Sequence, residues 1–326
     1  VAVRPACDEV ACAYLGPALL VRAITTLDED LETVIVIPYD EEELVVMQEP
    51  GLKVLHLQDL DYGTTCYTLQ GCLSDIKAWS DDNPGHHPIF VLIEAKDEAI
   101  FVEMLPDHPW NNPPPIDATM LAEIDSDILS VFGPERLLTP ADVRGDYPTL
   151  REAILAEGWP TLEESAGTIY FGLDNGGTPM ETYLALHPDL SSQILFTSSP
   201  LGDDRAAFVK RNDPYAADIP ELVELGYLVR TRADYDTVQS VQNDHSQKEQ
   251  AFASGAHFIS SDYRVPDTAN SDYSVGFEND AAMRCNVING NEDCFELLPE
   301  PGSVLLQLAS LVTLLAIRRA SKAHYH

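Results

Sequence analysis

The sequence predicts an α/β fold built on parallel strands, and three observations carry that prediction. Short apolar, β-branched runs recur along the chain and end in polar or charged residues. Runs of that kind are what strands buried on both faces look like. Helix-patterned segments lie between them, and strand–helix alternation favours parallel pairing with right-handed crossovers. Finally, the 326 residues, 45% hydrophobic and 8% aromatic, suffice for one large core.

The strand-like runs are residues 33–40 (TVIVIPYD), 52–59 (LKVLHLQD), 88–97 (PIFVLIEAKD), 168–174 (TIYFGLD), 193–199 (QILFTSS), 226–234 (GYLVRTRAD) and 257–263 (HFISSDY). Helical segments are expected at 72–82, 117–132, 149–159, 218–226 and 236–255. Seven strands can be counted, whereas a (β/α)8 barrel takes eight over about 250 residues. The expected architecture is therefore a TIM-type (β/α)8 barrel with its first strand missing or altered. A doubly wound sheet would alternate too, but it needs a glycine-rich phosphate turn. None is visible, and DNGGTP at 174–179 reads as a plain turn. Barrel active sites gather at the C-terminal ends of strands. His56, Glu94, Asp174, Arg232, Asp234 and Asp262 all hold that kind of position.

Charge narrows the partners. With 19 basic against 54 acidic residues, the formal net charge is −35. Nucleic acid is excluded as a partner, because phosphate backbones need a basic surface. Anionic head groups are repelled at long range, so an anionic substrate implies a bound cation. The acidic run at 40–43 reads as a wet surface loop, and His86 and His87, in a Pro/Gly turn, as a solvated loop.

Of six cysteines, Cys7, Cys12, Cys66, Cys72, Cys285 and Cys294, the last four fall into two close pairs without CxxC spacing. Two local disulfides in an oxidising compartment are expected, each worth somewhat less than ~3 kcal/mol; four reduced thiols are the alternative. The pairing of Cys7 with Cys12 stays open. The sequence opens at Val1 without the blocks of a secretory leader. Export, argued below, expects that leader to be missing from this sequence.

Five phrases go beyond pattern: GLKVLHLQDLDYGTTC (51–66), AWSDDNPGHHPIFVLIEAKD (78–97), LLTPADVRGDYPTLREAILAEGWPTL (137–162), GYLVRTRADYDT (226–237) and ASGAHFISSDY (253–263). Together they resemble the bacterial calcium-dependent phosphoinositide phospholipase C family, over roughly three quarters of the chain. The resemblance implies a TIM barrel that cleaves phosphoinositide to diacylglycerol and inositol phosphate. A ring hydroxyl attacks phosphorus with general acid–base help, and Ca²⁺ held by oxygen ligands offsets the developing charge. His56 matches the second of two family histidines, and Glu94 a calcium ligand. Lys96 is placed to reach a phosphate, and Arg232 and Asp234 match positions near the substrate. Asp174 and Asp262 are further substrate-binding candidates, with helix caps or arginine partners as their alternative.

Two family features are not visible. The first strand's His-Asn pair has no counterpart before residue 33, and VIVI stands where a Glu-x-Asp pair belongs. Either the N-terminus is incomplete or altered, or the barrel has lost its catalytic half. The first is preferred, with weak or no activity for this chain and an incomplete Ca²⁺ site. The expected organisation is a divergent segment (1–32), the phosphodiesterase barrel (33–296) and a tail (297–326).

That tail carries Pro299, Glu300 and Pro301, an apolar stretch at 303–317, then Arg318 and Arg319. It resembles the PEP-CTERM sorting signal of exported Gram-negative proteins, which an exosortase processes. As a helix the apolar stretch is about 22 Å long, shorter than the ~20 residues of a comfortable span. The arginines would stay cytoplasmic, and processing would remove the tether. Two other functions stay open: a glycerophosphodiester phosphodiesterase, and a non-catalytic exported protein that binds lipid head groups or polysaccharide.

Overall fold

A computed structural model describes residues 2–4, 19–21, 36–38, 45–46, 50–55, 64, 66–97, 113–188, 190–235, 237–268, 271–277 and 283–290. His56, Cys7, Cys12, Cys294, the 40–43 run and the whole tail, with Pro299, Glu300, Pro301, Arg318 and Arg319, lie outside these residues.

The strands are β1 Ala2–Arg4, β2 Leu19–Val21, β3 Val36–Pro38, β4 Lys53–Val54, β5 Ile89–Ala95, β6 Ile169–Leu173, β7 Leu195–Thr197, β8 Phe208–Lys210, β9 Leu228–Arg232 and β10 Phe258–Ser260. One sheet has the order β4-β1-β5-β6-β7, a second β10-β9-β8, and β2 pairs with β3 alone. From β5 to β10 every pairing is parallel: β5 with β6, β6 with β7, β8 with β9 and β9 with β10. The fold is thus mixed α/β with small parallel sheets.

Helices fill the crossovers and start where their caps dictate. α1 (Leu69–Asp82) begins as Thr68 Oγ1 accepts from the Gly71 N–H, and α2 (Ala118–Phe132) as Asp117 accepts from Thr119 and Met120. α3 (Pro140–Arg144) carries a Thr139/Asp142 capping box, and α4 (Leu150–Ala156) is capped by Thr149. Such caps satisfy amide donors that a helix leaves orphaned. α5 (Gly177–Leu186), α6 (Ile219–Glu224), α7 (Val238–Gln242) and α8 (Ser246–Ala253) complete the set.

Several expectations are corrected. Within the run at 33–40 the described residues Val36–Pro38 form β3, which pairs antiparallel with β2 where a parallel strand was expected. In the run at 52–59 the described residues include β4, which is antiparallel to β1. β8, between β7 and β9 in the chain, and α5 were not foreseen. The segment 236–255 forms two helices, because the chain reverses at Asn243, whose φ is 50°; asparagine tolerates that region better than most residues. His86 is not solvated. It is 1% exposed, with Nε2 2.7 Å from Ser80 Oγ and Nδ1 2.6 Å from the His87 carbonyl oxygen. Cys66 and Cys72 form the expected disulfide, and Cys285 is disulfide-bonded as well.

Alternation sorts each strand into two faces. On one face of β5, Val91, Ile93 and Ala95 are buried, and Val91 and Ile93 join a cluster with Leu73 of α1, Leu121 and Ile124 of α2 and Tyr183 of α5. Tyr183 ties that layer together, since its hydroxyl donates to Asp125 and accepts from the Leu195 N–H. On the opposite face, four aromatic rings meet. Phe90 lies 4.9 Å from Tyr170 of β6, 5.2 Å from Phe208 of β8 and 4.7 Å from Phe258 of β10, centroid to centroid. Strands from both parallel sheets therefore share one aromatic interior. Gly172 on β6 makes room for it: a Cβ there would lie 2.6 Å from the Phe90 ring.

Candidate functional site

Follow the strand faces that carry the aromatic rings toward their C-terminal ends, and the chemistry changes from apolar to ionic. On β5, two-residue steps lead from Phe90 through Leu92 to Glu94, with Lys96 just beyond the strand. Tyr170 and Gly172 on β6 lead to Asp174, and Phe208 on β8 leads to Lys210. Leu228 on β9 leads to Arg230 and Arg232. Phe258 on β10 leads to Ser260 and then Asp262. Three carboxylates and four cations thus stand at the C-terminal ends of β5, β6, β8, β9 and β10.

Their contacts are specific. Lys210 Nζ donates to the Asp174 carbonyl oxygen at 2.6 Å and lies 3.0 Å from Asp174 Oδ1. Lys96 Nζ lies 3.0 Å from Glu94 Oε2. Glu94 remains 44% exposed, so that pair is screened by water and adds little stability. Arg230 sits at the centre, its Nε donating to Ser260 Oγ at 2.6 Å. Burial is the chief influence on Arg230 and pulls its pKa down. The Asp174, Glu94 and Asp262 carboxylates push it back up, and the Arg232 charge works against them. Glu94, Asp174, Arg232 and Asp262 are therefore all within electrostatic reach of Arg230. Arg232 also stacks on Tyr235, 5.0 Å from the ring centre.

Asn175 fastens the Glu94 strand end. Its Oδ1 accepts from the Ala95 N–H at 2.8 Å, and its Nδ2 donates to the Ala95 carbonyl at 2.7 Å. The side chain extends the β5–β6 ladder past the last strand residue and fixes the backbone between Glu94 and Lys96.

Asp234 is placed differently from the other candidates. It is 1% exposed and accepts hydrogen bonds from the Ser261 hydroxyl, the Asp262 N–H and the Tyr273 hydroxyl. Its carboxylate joins the loops after β9 and β10. His56 lies outside the described residues, so its distance from Glu94 is not part of this geometry. Sequence reasoning missed Lys210, Arg230 and Asn175. For Arg230 the signal was present: RTR on a strand puts both arginines on one face.

Calcium fits the described residues poorly. Among them no three His, Cys, Asp or Glu side chains gather closely enough to hold a metal ion. Glu94 and Asp174 face lysines instead.

A family model described as phosphoinositide phospholipase C, Ca²⁺-dependent, matches residues 21–287. No curated protein matches the chain. Among solved structures, a Ca²⁺-dependent phosphatidylinositol-specific phospholipase C from Streptomyces antibioticus is 22% identical, with a TM-score of 0.42 over 60% of this chain and 70% of that one. A calcium-dependent phosphoinositol-specific phospholipase C from a Gram-negative Pseudomonas sp., in its myo-inositol complex, is 18% identical. Its TM-score is 0.40, over 53% of this chain and 62% of that one.

Proposed function

The chain belongs to the Ca²⁺-dependent phosphoinositide phospholipase C family, and we propose that it is a phosphoric diester hydrolase whose charged rim takes an inositol phosphate head group. The observation that carries this reading is the convergence of Lys210, Arg230 and Arg232 with Glu94, Asp174 and Asp262 at the C-terminal strand ends. A phosphodiester is anionic and an inositol ring is rich in hydroxyls. Guanidinium and ammonium groups match the first, and carboxylates accept from the second. In a protein of net charge −35, a local group of four cations is what lets an anion settle there.

Roles follow. Arg232 and Lys210 hold the phosphate, Lys96 assists from β5, and Asp174 and Asp262 accept from ring hydroxyls. Asp234 positions the two loops that present Arg232 and Asp262. His56 is the proton-transfer residue and Glu94 the metal ligand, both on family resemblance. A Ca²⁺ site would need several oxygen ligands besides Glu94. The described residues do not complete such a site, and the reading remains weak or no turnover for this chain. A closed (β/α)8 barrel is the architecture that agrees with parallel strands in chain order and with Phe258 packed 4.7 Å from Phe90. Export, a PEP-CTERM tail and an exosortase partner rest on the sequence, and the Cys66–Cys72 disulfide agrees with an oxidising compartment.

The test has two arms. Calorimetry with inositol 1-phosphate should show binding that Arg232→Met or Lys210→Met weakens about tenfold or more. Release of inositol phosphate from phosphatidylinositol, with and without Ca²⁺, should be slow or absent. Lack of binding overturns the head-group reading, and family-like turnover overturns the weak-activity reading. Binding without turnover sustains the non-catalytic alternative.

A further inference from the structure

At the other end of the strands a separate cavity of ≈ 460 Å³ opens beside the starts of β5 and β10. Small-molecule sites occupy about 300–1,000 Å³ and are mostly apolar with a few placed polar groups. This cavity has that make-up. Trp79, Ile89, Phe252, Phe277, Met283 and Val287 are among its walls, and His257 and Arg284 add polar atoms.

The walls are held in place by the chain itself. The segment carrying Met283 to Val287 is anchored where Asn286 Nδ2 donates to the Gly255 carbonyl at 2.7 Å. It also includes the disulfide-bonded Cys285. Gly255, with φ +83°, allows this approach, since a Cβ there would lie 2.2 Å from the Ile288 side chain.

Both polar groups are oriented donors. Val229 donates its N–H to His257 Nδ1 at 3.2 Å, so the ring proton sits on Nε2, and no described residue accepts it. Arg284 lies over two neighbouring rings, 4.9 Å from Phe252 and 5.2 Å from Phe277, whose centroids are 5.5 Å apart. One of its amino groups donates to the Phe252 carbonyl. No carboxylate pairs with it among the described residues. The two ring contacts and the carbonyl bond hold the guanidinium at the cavity, and its remaining N–H groups suit a carboxylate.

We propose that this cavity binds an apolar carboxylate of the fatty-acid type, its chain along Trp79, Ile89, Met283 and Val287 and its carboxylate on the exposed Arg284 guanidinium. Charge complementarity selects this occupant over a neutral apolar molecule. The site lies at the strand ends opposite the ionic rim, so it does not depend on the head-group reading.

The experiment displaces a fluorescent apolar probe from the full chain with laurate and, separately, with the alcohol of equal chain length. Laurate should bind roughly tenfold more tightly than the alcohol. Arg284→Gln should remove that preference and leave alcohol binding unchanged. Val287→Trp, at an exposed wall position, should weaken both ligands by partly filling the cavity. Equal affinity of wild type for acid and alcohol, no displacement by either, or an Arg284→Gln variant that keeps the preference would each overturn the proposal. Indifference of both affinities to Val287→Trp would overturn the placement in this cavity. Circular dichroism confirms that each variant is folded.

Discussion

The two ends of the same parallel strands are chemically opposite. Near their starts, Phe90, Tyr170, Phe208 and Phe258 stack into one aromatic layer. One or two turns of the pleat later, the same faces carry Glu94, Asp174, Lys210, Arg230 and Arg232. The aromatic end gains apolar burial and ring-edge contacts. The ionic end half-buries charges whose mutual attraction roughly balances their lost hydration. The difference teaches that one end holds the strands together and the other is held by them. It can be broken or sharpened by perturbing each end and reading stability.

The largest effect is expected from Phe90→Ala. The ring touches three strands at once, and truncating a packed phenylalanine costs about 3–5 kcal/mol. Denaturant unfolding should show the midpoint fall with little change in slope. A loss under about 1 kcal/mol would mean the aromatic layer is not the structural end.

Much of that layer was legible in the sequence. The apolar runs at 88–97, 168–174, 193–199, 226–234 and 257–263 each contain an observed strand, because a strand buried on both faces leaves an uninterrupted apolar signature. β8 was not legible. It is three residues long and sits in DDRAAFVKRND, where charges on both sides hide it. Lys210 was lost with it, and so was its contact with Asp174. Glu94 was singled out because an acid closing an apolar strand is conspicuous, and Lys96 for its place two residues on. His86 was misread because its burial depends on Ser80 and the Arg136 that also binds Ser80, and no local pattern announces such a partner.

The next effect is a pH response at the aromatic end. Burial lowers the His257 pKa from 6.5 to about 4. The folded state thus prefers the neutral ring, while the unfolded chain binds a proton below about 6.5. His257 therefore contributes its full stability above pH ~6.5. That contribution is lost progressively as pH falls toward 4, to a total on the order of 3 kcal/mol. Unfolding curves between pH 7 and 4 should show His257→Gln losing less stability than wild type over that window. Parallel curves would remove His257 from the account.

A smaller loss, about 1–3 kcal/mol, is expected for Gly172→Ala, because the added methyl meets the Phe90 ring at 2.6 Å. Pairing it with Phe90→Leu should recover part of the loss, since the smaller side chain vacates that space. Strict additivity of the two changes would show that they do not share a contact.

The smallest change in stability is expected at the rim, from Arg230→Met. The guanidinium is partly desolvated, which lowers its pKa, while the Asp174, Glu94 and Asp262 carboxylates work the other way. Methionine removes the desolvation penalty together with the attraction, and it keeps an apolar stem. The net should fall within about 1 kcal/mol of wild type, of either sign. Inositol phosphate binding, by contrast, should weaken at least severalfold, because the anion loses the central cation of the group. Stability held and binding lost is the signature of an end that the fold supports without depending on it. A stability loss as large as that of Phe90→Ala would instead make the ionic rim part of the scaffold and erase the distinction between the two ends.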